Sequence, residues 1–410
     1  MKSKKHIAYL VPEYPVVSET FVYREIRVLI SLGYQISIYS LRGNPNSADV
    51  DQQGLPEALA IYSKSGILHI YAFFIALVSS PKSMFKTLGL LWHDMSVTKG
   101  PKAKGKLVFQ FLAANFLARQ LSEYRVDHLH VHFIHSPAQV AMYASSLCGV
   151  PFTVTAHAAD IYNHGQLLVE KAQRAKSLVT ISDFNKNYFE SIGIQPSKIL
   201  VVRCILDLPE SGRSEVESSQ SNPSGFVFGS LGRLVRKKGF LTLLRAFKIV
   251  LNESKLQPLS LQIAGSGPQR SEIENLINEL GLQSAVSLVG ALHPSAVSAW
   301  MRSLDCFVLA CEQDRESGDV DGIPVVLMES MSYGIPSIST TVSGVPELVI
   351  DEVTGLLASP ADPESLARSM LKLISNNDLK AQLVDGAQKH VLDEFSKESN
   401  IARLVSIFEA

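Results

Sequence analysis

The sequence predicts an α/β protein built from two Rossmann-like domains, each on a parallel sheet. Three observations lead there. The chain has 410 residues, too many for one ordinary core and enough for two domains of roughly 200 residues each. Short apolar runs alternate with helix-period segments along both halves, which is the rhythm of βαβ units. Between the halves, residues 207–224 (DLPESGRSEVESSQSNPS) are polar, carry Pro and Ser throughout and have no apolar period, so they read as a linker. The expected domains are 1–206 and 225–391.

The first domain opens on a buried strand, Ile7–Val11. A loop, Pro12–Phe21, leads into a helix with Phe21, Val22, Ile26, Leu29 and Ile30 on its apolar face. Ser18 is a good N-cap for it, and Gly33 ends it. Tyr34–Ser40 alternates as a second strand, completing a βαβ opening; ligands bind at the carboxyl ends of such strands. Residues 43–65 are polar and irregular, and 66–122 are largely helical. His128, His130 and His132 then share one face of a strand, which permits a three-histidine metal site, although no carboxylate partner is evident nearby. Pro151–Thr155 is a strand ending in His157, with Asp160 three residues on, placed either to touch a substrate or to pair His157 structurally. Leu178–Ser182 and Ile199–Arg203 continue the strand count, and Asp183-Phe184-Asn185 begins the helix between them.

The second domain opens on strand Phe226–Leu231, followed by Gly232-Arg233-Leu234-Val235-Arg236-Lys237-Lys238-Gly239. A glycine-flanked turn with four cations before the helix Phe240–Leu251 is a candidate diphosphate site. Backbone approaches closely at glycine, Arg forks onto phosphate oxygens and Lys adds a point charge. The other reading is a solvated basic turn. Arg236 and Lys237 are assigned to the surface. Leu259–Ala264 is a strand ending in Gly265-Ser266-Gly267-Pro268, and Val286–Gly290 is the next. Ala296–Ser303 is a helix with Ser295 as its N-cap, and Cys306–Ala310 is a further strand.

An acidic loop follows, with Glu312, Asp314, Glu316, Asp319 and Asp321, closed by Gly322-Ile323-Pro324. Pro324 suits a first helical turn, and Val325–Tyr333 is a short helix stopped by Gly334. Backbone N–H groups around Ile323, Pro324 and Val325 form an anion site at its N-terminus. Yet Asp321 sits just outside that helix and Glu329 one turn inside it. Two carboxylates suit a ligand with phosphate at one end and hydroxyls elsewhere, because carboxylates accept from hydroxyls. That description fits a nucleotide sugar. Ser337–Thr340 is a buried strand, Gly344-Val345-Pro346-Glu347 turns into another short helix, and the last helix covers about Lys397–Phe408.

Bulk properties exclude several classes. With 46% hydrophobic and 19% charged residues the chain is not disordered, and a net charge of −1 gives no global basic field for nucleic acid. The four cysteines show no CxxC and no metal-finger spacing, and read as reduced, mostly buried thiols of a cytoplasmic protein. Lys2, Lys4 and Lys5 make a basic start, but His6–Val11 is too short for a signal peptide. The longest apolar run, Gly66–Ser80, stops at Pro81, short of the ~20 residues of a spanning helix. It reads as a core or docking helix, or as an interfacial membrane helix given Lys82, Lys86, Lys99, Lys102, Lys104 and Lys106 behind it.

Asp321-x7-Glu329, followed by Met331–Pro336 and Gly344–Leu348, resembles the E-x7-E region of retaining glycosyltransferases of family 4, with Asp where the family usually has Glu. The resemblance implies the GT-B fold, two Rossmann-like domains with parallel sheets facing across a cleft and the C-terminal helix (392–410) completing the first domain. It implies transfer of a hexosyl group from a nucleoside diphosphate sugar to a hydroxyl of a lipid-linked or polysaccharide acceptor, with retention and no metal or other cofactor. The G-R-L-x-x-x-K-G pattern makes Gly232, Arg233 and Lys238 donor phosphate residues, with Gly265 near the nucleotide and the Ile323–Val325 N-terminus beside the diphosphate. Glu329 is implied to hold ribose hydroxyls and Asp321 the donor sugar. The family's T-x-H-x-x-D-I segment sets His157 beside the reacting bond. P-x-x-S-E-T-F and H-x-H-F resemble a subgroup that builds bacterial exopolysaccharides, including colanic acid, placing Ser18, Glu19 and His132 at the acceptor cleft. Cys204 is followed by Ile205 where the family often has Gly. The alternatives from other classes are a GT-B nucleotide-sugar epimerase and a non-catalytic GT-B binding protein. The expected location is cytoplasmic, with peripheral contact at the inner face of the membrane left open.

Overall fold

The computed structural model describes residues 4–16, 19–44, 54–162, 165–206, 225–255 and 258–410; the expected linker 207–224 and Ser18 lie outside them. The chain divides into two compact units, residues 1–205 with 400–410, and residues 206–399. The return to the first unit, expected at 392, comes at 400. Leu379 and Leu383, on the helix that precedes it, are part of the second unit's core.

In the first unit β1 (His6–Tyr14), α1 (Thr20–Ser31), β2 (Gln35–Gly43) and β3 (Ala58–Ala60) come first. Three consecutive helices follow, α2 (Gly66–Ser79), α3 (Pro81–Val97) and α4 (Pro101–Glu123). Then come β4 (His128–His132), α5 (Ser136–Cys148), β5 (Phe152–Ala156), α6 (Ala159–Tyr162) and α7 (Leu168–Arg174). The unit continues through β6 (Ser177–Thr180), α8 (Asp183–Ser191) and β7 (Ile199–Val201). Among the described residues its sheet runs β3-β2-β1-β4-β5-β6-β7, with every neighbouring pair parallel.

β1 shows why the strand reads as an unbroken apolar run. Ala8 and Leu10 enter one core, with α4 and α5, while Ile7, Tyr9 and Val11 enter another, with α1. Both faces of the sheet are covered, as a parallel sheet requires.

In the second unit the order is β8 (Phe226–Leu231), α9 (Phe240–Glu253), β9 (Leu259–Ala264), α10 (Arg270–Glu279) and β10 (Val286–Gly290). Next are α11 (Pro294–Arg302), β11 (Cys306–Val308), α12 (Val325–Ser332), β12 (Ser337–Thr340), α13 (Val345–Leu348) and β13 (Leu356–Ala358). The chain ends with α14 (Pro363–Ile374), α15 (Asn377–Glu394) and α16 (Lys397–Glu409). The parallel sheet runs β10-β9-β8-β11-β12-β13. The N-cap of α11 is His293, whose ring accepts from the Ser295 N–H; Ser295 is inside the helix, because Pro294 before it already takes a helical position.

Leu404, Ile407 and Phe408 of α16 belong to the same core as Ile7, Tyr9 and Val202. Lys5 Nζ donates to the Phe408 carbonyl (2.6 Å), and the Arg203 N–H to Asn400 Oδ1 (2.9 Å). Both sheets reverse strand order beside their first strand, between β1 and β4 and between β8 and β11. A doubly wound sheet opens a crevice at such a point. Within each unit, the loops leaving those two strands are therefore where ligand-binding groups are expected.

Candidate active site

The loop after β8 is held backbone to backbone against the loop after β9. Gly232 N–H donates to the Ala264 carbonyl (3.1 Å), and Leu234 N–H to Ser266 (2.8 Å). Gly265 has φ +136, and a Cβ there would lie 1.9 Å from the Gly232 carbonyl oxygen. Only glycine permits that approach. Arg233 is exposed on this loop. Arg236–Lys238 form a single 3-10 turn, and Gly239 (φ +65) swings the chain into α9 against the Ala310 carbonyl. Lys238 is thereby delivered to the carboxyl end of β11.

There it meets the acidic loop. Lys238 Nζ lies 2.7 Å from Asp321 Oδ2, while Lys237 Nζ lies 3.3 Å from Asp321 Oδ1 and 3.1 Å from Asp319 Oδ2. The side chains of Lys238 and Asp321 are each only 13% exposed. Burial opposes the charge on Lys238, but Asp321 and then Cys311 outweigh it and raise the amine's pKa. Burial likewise pushes Asp321 up, and Lys238 and Lys237 overcome it, holding the carboxyl below its ordinary value. Burial first, then Asp321, pushes the Cys311 thiol up to about 12. The expectation that Lys237 is a surface residue is corrected: the 3-10 turn aims two successive lysines at one carboxylate. Arg236 is exposed, as expected, and reaches Glu316 at 3.0 Å.

α12 begins three residues past the Asp321-Gly322 step, at Val325. Pro324 is its N-cap, with φ −65 and ψ 123, rather than its first helical residue. Ile323 and Pro324 are buried, while Val325 and Glu329 are half-buried. Proline contributes no N–H, so the helix's first donors are on Val325 and Val326.

The first unit supplies a different chemistry. His132 Nδ1 lies 3.2 Å from His157 Nε2, and His132 Nε2 3.3 Å from Glu25 Oε1. Tyr9 Oη donates to the same Glu25 oxygen at 2.6 Å. His130 Nδ1 is 2.8 Å from Thr153 Oγ1, and its Nε2 is 3.6 Å from Glu25. All of these groups are buried. Burial, then His132 and His135, keep the His157 imidazole far below its usual pKa, so it is neutral at pH 7. Glu25, His132 and His157 thus form one continuous line of contacts, and the Nδ1 of neutral His157 is left to hydrogen-bond a hydroxyl.

Asp160 takes no part in orienting that ring. Its carboxylate accepts the backbone N–H of Ile134, His157 and Ala158 (2.7, 3.0 and 3.0 Å), fixing the loops after β4 and β5. Phe21 and Phe133 stand against the His157 ring, each with a 4.7 Å centroid distance. Glu19 is the N-cap of α1, and burial, with Glu13 and Asp160 adding, pushes its carboxyl up to about 8.

Glu25, His130 and His132 offer ligand atoms within 4.8 Å of one another. The carboxylate that the histidine strand seemed to lack comes from α1, more than a hundred residues away. Its signal was legible: Glu25 falls three residues after Val22 and four before Leu29, on the buried stripe of α1. The structure thus joins Gly232, Gly265, Lys238 and Asp321 in one unit, and His132 with His157 in the other; Lys237, Glu25 and Tyr9 were not anticipated. A cavity of about 1140 Å³ lies among α2, α3, α4 and α5 and contains none of the expected site residues.

Comparison with known proteins agrees with this architecture. Residues 18–209 match the Glycosyltransferase Family 4 model and residues 213–390 the model for Glycosyl transferases group 1. The chain is 26% identical to the amylovoran biosynthesis glycosyltransferase AmsK of Erwinia amylovora, over 98% of this chain and 99% of the relative. It is 25% identical to the putative colanic acid biosynthesis glycosyltransferase WcaL of Salmonella typhimurium, with the same coverage. Among solved structures, Anabaena Alr3699/HepE in complex with UDP superposes with a TM-score of 0.72 at 16% identity, covering 98% of this chain and 99% of that one. A glycosyltransferase from Rickettsia africae gives 0.71 at 18% identity, with 99% and 98% coverage. Two adjacent family models therefore account for nearly all of the sequence, and the chain belongs to the glycosyltransferases of the GT-B fold that join a Family 4 domain to a group 1 domain.

Proposed function

We propose that the protein transfers a hexosyl group from a nucleoside diphosphate sugar to a hydroxyl of a lipid-linked or polysaccharide acceptor in surface polysaccharide synthesis, with retention at the anomeric carbon. The observation that carries this reading is the joining of Lys238, Asp321, Gly232 and Gly265 at the second unit's switch point. That arrangement places cations and close-approach backbone beside a carboxylate that can accept from sugar hydroxyls. Relatives named for amylovoran and colanic acid biosynthesis support the pathway class, and a neighbour complexed with UDP supports a nucleotide donor.

In this reading Arg233, Lys238 and the α12 N-terminus hold the departing diphosphate, where negative charge grows in the transition state. Glu329 takes ribose hydroxyls and Asp321 the donor sugar. His157 is neutral and hydrogen-bonds a sugar hydroxyl near the reacting bond; Glu19 faces the acceptor, and buried His132 acts there through its contact with His157. Attack occurs on the face the diphosphate leaves, and the reading invokes no metal. The protein works in the cytoplasm, in peripheral contact with the membrane that holds its acceptor.

The test incubates the purified protein with single nucleotide sugars, with and without lipid-linked saccharide extract, and reads products by mass spectrometry. A hexosyl mass gained only by the acceptor supports the reading. Rearrangement of the donor without acceptor would replace it with an epimerase, and no turnover under any donor would leave a binding protein.

A further inference from the structure

α2 and α3 carry large apolar side chains into solvent in a helical repeat. On α2, Ile67, Ile70, Tyr71, Phe74 and Val78 are exposed, with Ile67 at 78% and Val78 at 82%. The opposite side of the helix buries His69 and Ala72, and Phe73, Ala76 and Leu77 pack on the core. The apolar run is therefore amphipathic in burial although apolar all round in sequence. On α3, besides the terminal Pro81 and Val97, the exposed residues are Lys82, Phe85, Lys86, Gly89, Trp92, His93 and Ser96, recurring every three or four positions, so they lie on one face. Met84, Thr87, Leu91 and Asp94 are buried on the other. Phe85 is 68% exposed and Trp92 77%. No helix of the described residues is long and apolar enough to cross a membrane.

The charges on this segment are one-sided. From Ser65 to Lys106 the cations are Lys82, Lys86, Lys99, Lys102, Lys104 and Lys106, and the one acid is Asp94. Asp94 is fully buried and held bidentate by Arg174, with both contacts at 2.6 Å, and by Tyr143 at 2.7 Å. It offers nothing to the outside. Lys82, Lys86, Lys99, Lys102 and Lys106 are exposed. The whole chain has a net charge of −1, so this local positive field is a property of the segment. Apolar side chains large enough to enter a headgroup layer, an aromatic pair and lysines on one helix face match an anionic bilayer. A protein groove would need a single acidic, shape-matched partner, which a bilayer does not.

We propose that α2, α3 and the α3–α4 junction form the surface by which the protein docks on an anionic lipid bilayer, with Phe74, Phe85 and Trp92 entering the interface and the lysines meeting lipid phosphates. This deepens the peripheral contact proposed above by naming its residues. It does not require that the transfer reaction be correct.

The test uses the full chain and vesicles of phosphatidylcholine alone or mixed with phosphatidylglycerol. Trp92 and Trp300 are the only tryptophans, so Trp300→Phe leaves Trp92 as the single reporter. The expected result is co-sedimentation with phosphatidylglycerol vesicles and a blue shift of Trp92 emission. Phe85→Ser with Trp92→Ser should abolish sedimentation at all salt concentrations, and Lys82→Glu with Lys86→Glu should weaken it by more than about tenfold. These side chains are outside the core, so an unchanged Tm should accompany both losses. Absence of a blue shift or of sedimentation overturns the proposal, as does binding that both double variants retain. A wild-type dimer that Phe85→Ser with Trp92→Ser converts to monomer would also overturn it, assigning the face to a second copy. Nucleoside diphosphate binding, measured on the same samples, is expected to be unaffected in every variant; loss of the nucleotide alone would count against the transfer reading and leave the docking surface intact.

Discussion

Asp321→Asn should tighten binding of free nucleoside diphosphate while stopping transfer. In the structure Asp321 sits on the same lysine that the proposed reaction assigns to the diphosphate. At 2.7 Å and an effective dielectric near 20 the gross attraction is about 6 kcal/mol. Desolvation of both groups offsets most of this, leaving a net charge-assisted contact of about 1.5–3 kcal/mol. A phosphate oxygen reaching Lys238 gives up part of that contact in the wild type. Asparagine removes the competing charge, so affinity should rise by roughly tenfold, about 1.4 kcal/mol. The variant also leaves Lys237 and Lys238 without their shared carboxylate, and stability without ligand should fall by about 3 kcal/mol. The assay is titration calorimetry with nucleoside diphosphates, alongside thermal denaturation with and without ligand. Lys238→Ala is the reference and should lose at least about tenfold in affinity. If Asp321→Asn weakens diphosphate binding as much as Lys238→Ala does, Asp321 supports the phosphate instead of competing for the lysine, and the reasoning fails.

Three further outcomes follow from the geometry. Glu25→Leu removes the acceptor shared by Tyr9 and His132 beside His157, and turnover should fall by roughly ten- to a hundredfold with diphosphate binding unchanged; equal turnover would dissociate that chain of contacts from catalysis. Gly265→Ala forces a Cβ to within 1.9 Å of the Gly232 carbonyl, so it should cost more than about 1 kcal/mol of stability and weaken diphosphate binding, read by denaturation and calorimetry. Stability should fall on acidification. Burial holds His128 at about 3, against about 6.5 when unfolded, so between those values the unfolded chain binds the extra proton and one histidine contributes a loss of about 4–5 kcal/mol. His130 and His157 act in the same direction. Glu19, raised to about 8, opposes them, losing stability as pH rises from its unfolded value through 8. Asp321, held low, adds a further loss only as pH falls through its folded pKa, below about 3.9. A Tm that stays flat between pH 6.5 and 4 would contradict the buried neutral histidines.

The strands of both sheets were legible because a parallel strand covered on both faces is an uninterrupted apolar run. Phe226–Leu231, Leu259–Ala264 and Ser337–Thr340 have the bounds their sequences imply. The loops that carry the candidate site were legible where glycine marked a forced backbone, as at Gly239 and Gly265. What failed were contacts made by tertiary packing. Lys237 looked like one more surface cation, and only the path of the acidic loop brings Asp319 and Asp321 onto it. The histidine strand looked bare of carboxylate because Glu25 arrives from another element. Helix caps were misjudged by one or two residues at Ser295 and Pro324, since proline suits either the cap or the first turn and sequence alone does not choose. The α2 run stayed open between core and interface for a similar reason: an all-apolar helix shows no periodicity, so only the packing reveals which side is left to solvent.

The most direct test of the central claim is thermal stabilisation of the purified protein by a panel of nucleoside diphosphates and their sugars, with Arg233→Ala and Lys238→Ala beside the wild type. The account predicts a clear rise in wild-type Tm with one base and sugar, and loss of that rise in both variants. A folded wild type that no nucleotide stabilises, or variants stabilised as strongly as the wild type, would contradict a donor diphosphate held on the Gly232–Lys238 turn.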